Sequence, residues 1–216
     1  MIGICPKCGN HEWNKQVSEN KKFIECQQCN HKWKFKSMPL FILTGCSGVG
    51  KTTTGQELIK RDNNFIVLDA DFLYNIMPHE TDEDYKNWVE QIMSLSKNIM
   101  QGGKPLLWTM AGALEYFETT YNRRFFTDVH FLALVCSTDA LEKRMREGRH
   151  ITDSNWINSS IDYNSWFKEQ GIISNKKVDT YDITDKSVAE VADYVAQWVE
   201  SRLLPQSESG YINKMK

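Results

Sequence analysis

The chain has 216 residues, 41% hydrophobic and 25% charged, with a formal net charge of −2, and reads as a globular protein of one large domain or one ordinary domain with a small appendage. Its longest apolar runs, such as "FLALVC" at 131–136, are too short to span a bilayer, and the opening "MIGICPKCGN" lacks the apolar stretch of a secretory signal. Membrane and secreted classes are therefore excluded, and a cytoplasmic location is expected. The first 37 residues hold seven lysines against three glutamates, a balance of +4, so the remainder carries −6. A basic head on an acidic body points to a head that can meet phosphate.

Four of the six cysteines fall within that head, as Cys5-x2-Cys8 and Cys26-x2-Cys29. In a reducing compartment, clustered pairs of this spacing are metal ligands rather than disulfides. Each pair is followed by turn formers (Gly9-Asn10, Asn30-His31), and "KKFIEC" and "HKWKFK" predict short strands. Residues 1–37 thus resemble a zinc ribbon, with structural Zn2+ held by Cys5, Cys8, Cys26 and Cys29 and a rubredoxin-type iron centre as the alternative. Four thiolates leave no open position, so the metal is structural and supplies stability that so short a unit cannot find in a core. The head is either a stabilising or docking appendage, or a nucleic-acid contact. In the second case Lys21, Lys22, Lys32, Lys34 and Lys36 meet phosphates, and Phe23, Trp33 and Phe35 stack on bases.

From Leu40 the pattern alternates. "LFILT" predicts a buried strand, "KTTTGQELIKR" a helix, and "FIVLDAD" at 65–71 a second strand ending in carboxylates. "YKNWVEQIMSLSKNIM" places Tyr85, Trp88, Val89, Ile92, Leu95, Ser96 and Ile99 on one helical face. "LLWTM" and "VHFLALVC" predict the third and fourth strands. The helix after them, "DALEKRMREG", has Asp139 and Glu142 spaced as a capping box. "KVDTYDI" predicts a fifth strand, and 187–203 a helix with Val188, Val191, Ala192, Val195, Trp198, Val199 and Leu203 on one face. The expected fold is α/β, a P-loop parallel sheet flanked by helices over 38–204, preceded by the ribbon and followed by a disordered tail, 205–216.

Gly45, Cys46, Ser47, Gly48, Val49, Gly50, Lys51 and Thr52 satisfy G-x-x-x-x-G-K-[ST] at every fixed position. Such a loop turns its backbone N–H groups around the β-phosphate of ATP, sends Lys51 to the β- and γ-phosphates and gives the Thr52 hydroxyl to Mg2+. The alternation of the second strand predicts that Asp69 and Asp71 point the same way at its C-terminal edge. One would hold Mg2+ through water and the other accept a proton from an attacking hydroxyl; the alternative is that both cap the next helix. Arg144, Arg146 and Arg149 precede a polar stretch, "HITDSNWINSS", read as a flexible segment that closes over ATP with an arginine at the transferring group. A solvated helix face explains Arg146 equally well.

Through "GCSGVGKTT", the "DAD" after the second strand, "LEKRMREGR" and "YDITDKSVAEVADYVAQWV", residues from about Leu40 to Leu203 resemble the small P-loop kinases related to nucleoside and nucleotide, shikimate and gluconate kinases. The resemblance implies an ATP- and Mg2+-dependent phosphotransferase. It places Asp71 near the acceptor hydroxyl, Asp69 near the Mg2+ shell and Arg149 and Arg144 in the lid. It also extends the nucleotide contacts to Thr53, and puts Asp182 or Thr184 near the base. One departure is that "PLLWTMAG" lacks the terminal Asp with which many P-loop NTPases hold Mg2+. The burden then shifts onto Asp69 and Asp71, and Thr109 with "MAGALEYF" would line the acceptor pocket. Tyr74, Trp108, Tyr116, Phe117, Arg123 and Arg124 are further acceptor candidates.

The expected partner is a small acceptor, a nucleoside or nucleotide, with nucleic acid through the ribbon as a second partner. The competing readings are a kinase for nucleic-acid ends or modified bases, recruited by the ribbon, and an ATP-switched binding module.

Overall fold

The computed structural model describes residues 2–203, and the expected tail at 205–216 lies outside the described residues. Short strands β1 (Gln16–Val17), β2 (Phe23–Glu25) and β3 (Lys32–Lys34) form an antiparallel sheet. The two cysteine turns beside it are built alike. Gly9 N–H donates to the Cys5 carbonyl and Asn30 N–H to that of Cys26, at 3.0 and 2.8 Å. Cys5 and Cys26 N–H in turn donate to the carbonyls of Asn10 and His31, at 2.9 and 3.0 Å. Positive φ at Gly9 (71°) and Asn30 (55°) makes both turns possible, as residue types that tolerate the left-handed region.

The rest runs β4 (Leu40–Thr44), α1 (Lys51–Ile59), β5 (Ile66–Asp69), α2 (Asp71–Tyr74), α3 (Asp82–Ile99), β6 (Leu106–Thr109), β7 (Val129–Val135), α4 (Thr138–Lys143), α5 (Ser154–Glu169), β8 (Ile172–Ile173), β9 (Lys176–Lys177), β10 (Asp179–Asp182) and α6 (Val188–Leu203). β10-β7-β4-β6-β5 form one parallel sheet, so all its C-terminal ends open on one rim. β4 shows why: every residue is buried, Leu40 and Ile42 in one apolar cluster, Phe41 and Leu43 in the other. α3 covers the first face with Trp88, Val89, Ile92 and Met93. α1 and α6 cover the second with Leu58, Val191, Val195 and Val199. Leu95, placed on the α3 core face by its spacing, is 38% exposed, since the buried face is centred on Val89, Ile92, Met93 and Ser96.

Two local expectations are corrected. The cap of α4 is Ser137, whose Oγ accepts Ala140 N–H at 3.3 Å, not an Asp139–Glu142 box. The polar stretch after Arg149 is no loose loop: the Asp153 carboxylate accepts the N–H groups of Asn155 and Trp156 and starts the 16-residue α5.

The cysteine-bearing segment is seated on the sheet-bearing part. Ile2, Ile24 and Phe35 belong to the same buried cluster as α3 and β6, and Phe35 meets Phe125 edge to face at 5.9 Å. The Lys21 ammonium donates to the Phe126 carbonyl, and Ser37 Oγ to that of Phe125 at 2.8 Å. Gln101 donates to the Lys36 carbonyl (3.0 Å) and accepts its N–H (2.9 Å).

A nucleotide cleft over the glycine-rich loop and a four-thiol site

The loop between β4 and α1 is shaped by close approach. A side chain on Gly45 would lie 2.5 Å from the Leu134 carbonyl oxygen, so the loop can rest against β7 only with a hydrogen there. Gly50, at φ 121°, turns the chain into α1 and leaves its N-terminus without a side-chain cap or first-turn carboxylate. The first intrahelical bond is Thr54 N–H to Gly50, so the N–H groups of Lys51, Thr52 and Thr53 remain free for an anion.

Over this loop lies a cleft of about 1000 Å3, lined at one end by Ser47–Thr54, at another by Asp71, Tyr74 and Ala111, and elsewhere by Arg144, Arg149, Trp156, Ile183, Lys186 and Val188. The Lys51 ammonium donates to the Gly45 and Cys46 carbonyls, at 2.8 and 2.9 Å. Burial draws it down to about 8, against the pull of Cys46 and Asp71. Burial also holds the Asp71 carboxyl above the usual range, helped by Asp69 and opposed by Lys51 and Arg149.

β5 ends at Asp69, and Asp71 is the first residue of α2. The expectation that strand alternation aims both carboxylates alike is therefore replaced by a turn in which Asp69 accepts the Asp71 N–H at 3.0 Å. Asp71 lines the cleft, and Asp69 is tied to it through that hydrogen bond. Their oxygens and the Thr52 hydroxyl are the hard donors that suit Mg2+.

Arg149 donates to Ser47 Oγ at 2.8 Å, with its guanidinium 5.8 Å from the Trp156 ring centre. Arg144 bolts the loop in place, donating to the Val49 and Ile183 carbonyls at 3.1 Å each. Both sit on or beside a π-helical turn, Arg144–Gly148, and Arg146 merely pairs with Glu142. Asp182 and Thr184 bond each other, Thr184 also accepting Ser137 N–H at 2.9 Å; Ile183 between them faces the cleft. Cys46 is buried and its thiol pushed up to about 12, so it offers backbone rather than thiolate chemistry.

The acceptor candidates divide. Tyr74 and Ala111 line the cleft. Thr109 does not: it is buried beneath Gly55, where its methyl would lie 3.1 Å from any added Cβ. Trp108 and Phe117 are core residues, Trp108 Nε1 donating to Ser96 Oγ at 2.8 Å. Arg123 pairs with Glu118 and Asp128. Arg124 lies over the Tyr121 ring, under the cysteine-bearing segment. Trp156 and Lys186 were missed. Trp156 sits in a polar stretch with no apolar period to single it out.

The sulfur atoms of Cys5, Cys8, Cys26 and Cys29 lie within 4.8 Å of one another, with Cys5–Cys29 and Cys8–Cys26 at 3.7 Å. A tetrahedron with Zn–S bonds of about 2.3 Å has sulfur edges of ~3.8 Å, so the four thiols fit that ion. Phe35 and Ile24 are core, and Trp33 packs against it with its indole nitrogen buried. Two of the three aromatics expected to stack on bases, Trp33 and Phe35, therefore hold the fold together instead.

Comparison with known proteins agrees with this geometry. A family model described as an AAA domain matches residues 42–164. No curated protein matches the sequence. A sugar kinase from Janibacter sp. superposes with a TM-score of 0.56 at 18% identity, covering 76% of this chain and 95% of its own. The tunicamycin resistance protein of Deinococcus radiodurans gives 0.53 at 15%, covering 78% and 99%. Shikimate kinase from Acinetobacter baumannii gives 0.51 at 18%, covering 79% and 98%. At such identities the likeness establishes the fold.

Proposed function

The chain belongs to the AAA domain family, and from that premise we propose that it is a cytoplasmic phosphotransferase moving the γ-phosphoryl group of ATP to a hydroxyl of a nucleoside, nucleotide or related small molecule. The observation that carries this reading is the convergence of Lys51, Asp71 and Arg149 on one cleft, over the open N-terminus of α1. The free N–H groups of the loop receive phosphate oxygens, and the Lys51 ammonium and Arg149 guanidinium offset negative charge where it accumulates. Thr52 and Asp69 would hold Mg2+, which when bound neutralises phosphate charge. The Asp71 carboxylate accepts the acceptor's O–H proton as its oxygen attacks phosphorus, and its raised pKa brings it nearer the range of an effective base. Arg144 acts through the loop it holds. The structures of sugar and shikimate kinases with this fold support the choice of a small acceptor. A structural Zn2+ on the four thiols completes the proposal.

Where Asp71 faces the cleft its neighbours in the lining are Tyr74 and Asn75, neither of them a cation to receive an acceptor's phosphate, which favours an uncharged acceptor. The test follows label from the γ-position of ATP with Mg2+, offering nucleosides, nucleoside monophosphates and oligonucleotides separately, with Lys51→Ala as the blank. Label on nucleosides is expected to exceed label on the matched monophosphates. Release of free phosphate with every acceptor would defeat the kinase reading.

A further inference from the structure

A second cleft, of about 740 Å3, lies where the cysteine-bearing segment meets α3 and the 3-10 turn Tyr121–Phe125. It is well outside the residues lining the nucleotide cleft, and its cations are unusual. Lys15 lines it and is only 3% exposed, its ammonium held by Asn10 Oδ1 at 2.5 Å and by the Glu12 carbonyl. Lys97 also lines it, donating to Asn122 Oδ1 at 2.5 Å, and burial with the nearby Arg124 draws its ammonium down to about 8 against the pull of Glu90. Arg124 lies directly behind, stacked on the Tyr121 ring at 3.1 Å, with its Nε buried and unpartnered. Lys86 and His11 stand at the rim.

Among the described residues, none of Lys15, Lys86, Lys97 or Arg124 forms an ion pair. Glu90 also lines the cleft and offsets part of this charge, its carboxylate held in place by Asn122, whose N–H and side-chain amide both donate to it. The adjoining Arg123, by contrast, is fully paired with Glu118 and Asp128. Lys15, Lys86 and Lys97, with Arg124 behind them, outnumber the two carboxylates that line the cleft, Glu12 and Glu90, so the cleft keeps a positive excess suited to an anion from outside.

One wall of the cleft adds a second kind of contact. Trp13 is 71% exposed, yet its backbone is fixed: its carbonyl accepts Tyr121 Oη at 3.0 Å and Arg124 Nη2 at 3.4 Å. Its ring meets that of Tyr121 edge to face at 4.7 Å, which leaves an indole face open to solvent on a rigid support. We propose that this cleft binds a nucleotide unit, its phosphate among Lys97, Lys86 and Lys15 and its base on Trp13, supplied by a free nucleotide or by a single strand of nucleic acid. Aromatic stacking tolerates any base, so the site selects phosphate and ring rather than sequence.

The test uses the full metal-loaded chain in a Lys51→Ala background, which silences the glycine-rich loop. AMP, inorganic phosphate and fluorescein-labelled ten-nucleotide RNA and DNA strands are titrated by calorimetry or anisotropy at two salt concentrations. AMP or a strand should bind more tightly than inorganic phosphate, with affinity falling as salt rises. Trp13→Ala, at an exposed position that cannot disturb the core, should weaken binding roughly five- to hundred-fold. Lys86→Glu should weaken it as well, while the same change at the exposed Lys60, outside the cleft, should not. Tight strand binding with weak AMP binding identifies a polymer as the source, and equal binding identifies the free nucleotide. Binding no tighter than phosphate, or binding indifferent to both Trp13 and Lys86, overturns the proposal. None of these outcomes depends on phosphoryl transfer, so the kinase reading stands or falls separately.

Discussion

Lys51 lies folded against its own loop, its ammonium spent on the Gly45 and Cys46 carbonyls and its proton loosened to about 8. A phosphate beside it restores the preference for the charged form. Near pH 8, binding of a non-hydrolysable ATP analogue should therefore take up about half a proton that Lys51→Met does not take up. Calorimetry in buffers of different ionisation enthalpy reads this directly. The same shift has a sign for stability. The folded pKa is below the unfolded value, so the buried charge costs stability below pH 8, and the cost is relieved as pH rises towards 10.5. At Asp71 the expected consequence is kinetic: Asp71→Asn should lower transfer by about 10²–10⁴-fold and leave analogue binding within a few-fold. Transfer at the normal rate would remove the residue from the chemistry. The glycine-rich loop was legible residue by residue because its chemistry demands particular residue types at fixed spacing. The aim of Asp71 was not, since a strand that stops at Asp69 looks the same in sequence as one that continues.

At the scale of elements, the alternation of buried strands and amphipathic helices made the parallel sheet legible from composition and period alone. α5 escaped because two of its four buried positions, Ser160 and Asn164, are polar. Asn164 earns its place by holding both the N–H and the carbonyl of Cys136, at 3.1 and 2.8 Å, which no hydrophobic pattern reveals. The β4–α1 joint gives a prediction of its own. Gly45 is at φ 133° with rigid backbone against it, whereas Gly102 has open space where a Cβ would go and no positive φ. Gly45→Ala should cost about 2 kcal/mol or more of unfolding free energy and weaken nucleotide binding. Gly102→Ala should be neutral or stabilise by roughly 0.4–1 kcal/mol through the unfolded chain. Urea unfolding of the two variants beside the parent makes the comparison, and equal effects would mean that the loop relaxes away from β7.

For the molecule as a whole, the cysteine pairs announced a metal site, but nothing in their spacing said that Phe35 would pack on Phe125 or that Lys21 would reach the Phe126 carbonyl. Those contacts join residues about 90 to 105 positions apart, beyond any local pattern. They also set what metal removal should do. Without an ion, four thiols within 4.8 Å of one another gain nothing from their proximity, and β1–β3 bury too little to persist alone. Phe35 contributes about 2 kcal/mol of burial to the shared cluster, so the segment beneath it should loosen too. β4, β6 and β7 keep their own contacts on both faces. Chelation should thus erase amide-exchange protection in residues 16–34 and weaken it over 121–128, while protection in β4, β6 and β7 survives. Phosphoryl transfer, built on the opposite rim, should persist, with thermal stability lowered by several degrees. Loss of protection throughout the sheet would instead show that the metal site and the nucleotide cleft fold as one cooperative unit, in which case removing the metal would silence the enzyme as well.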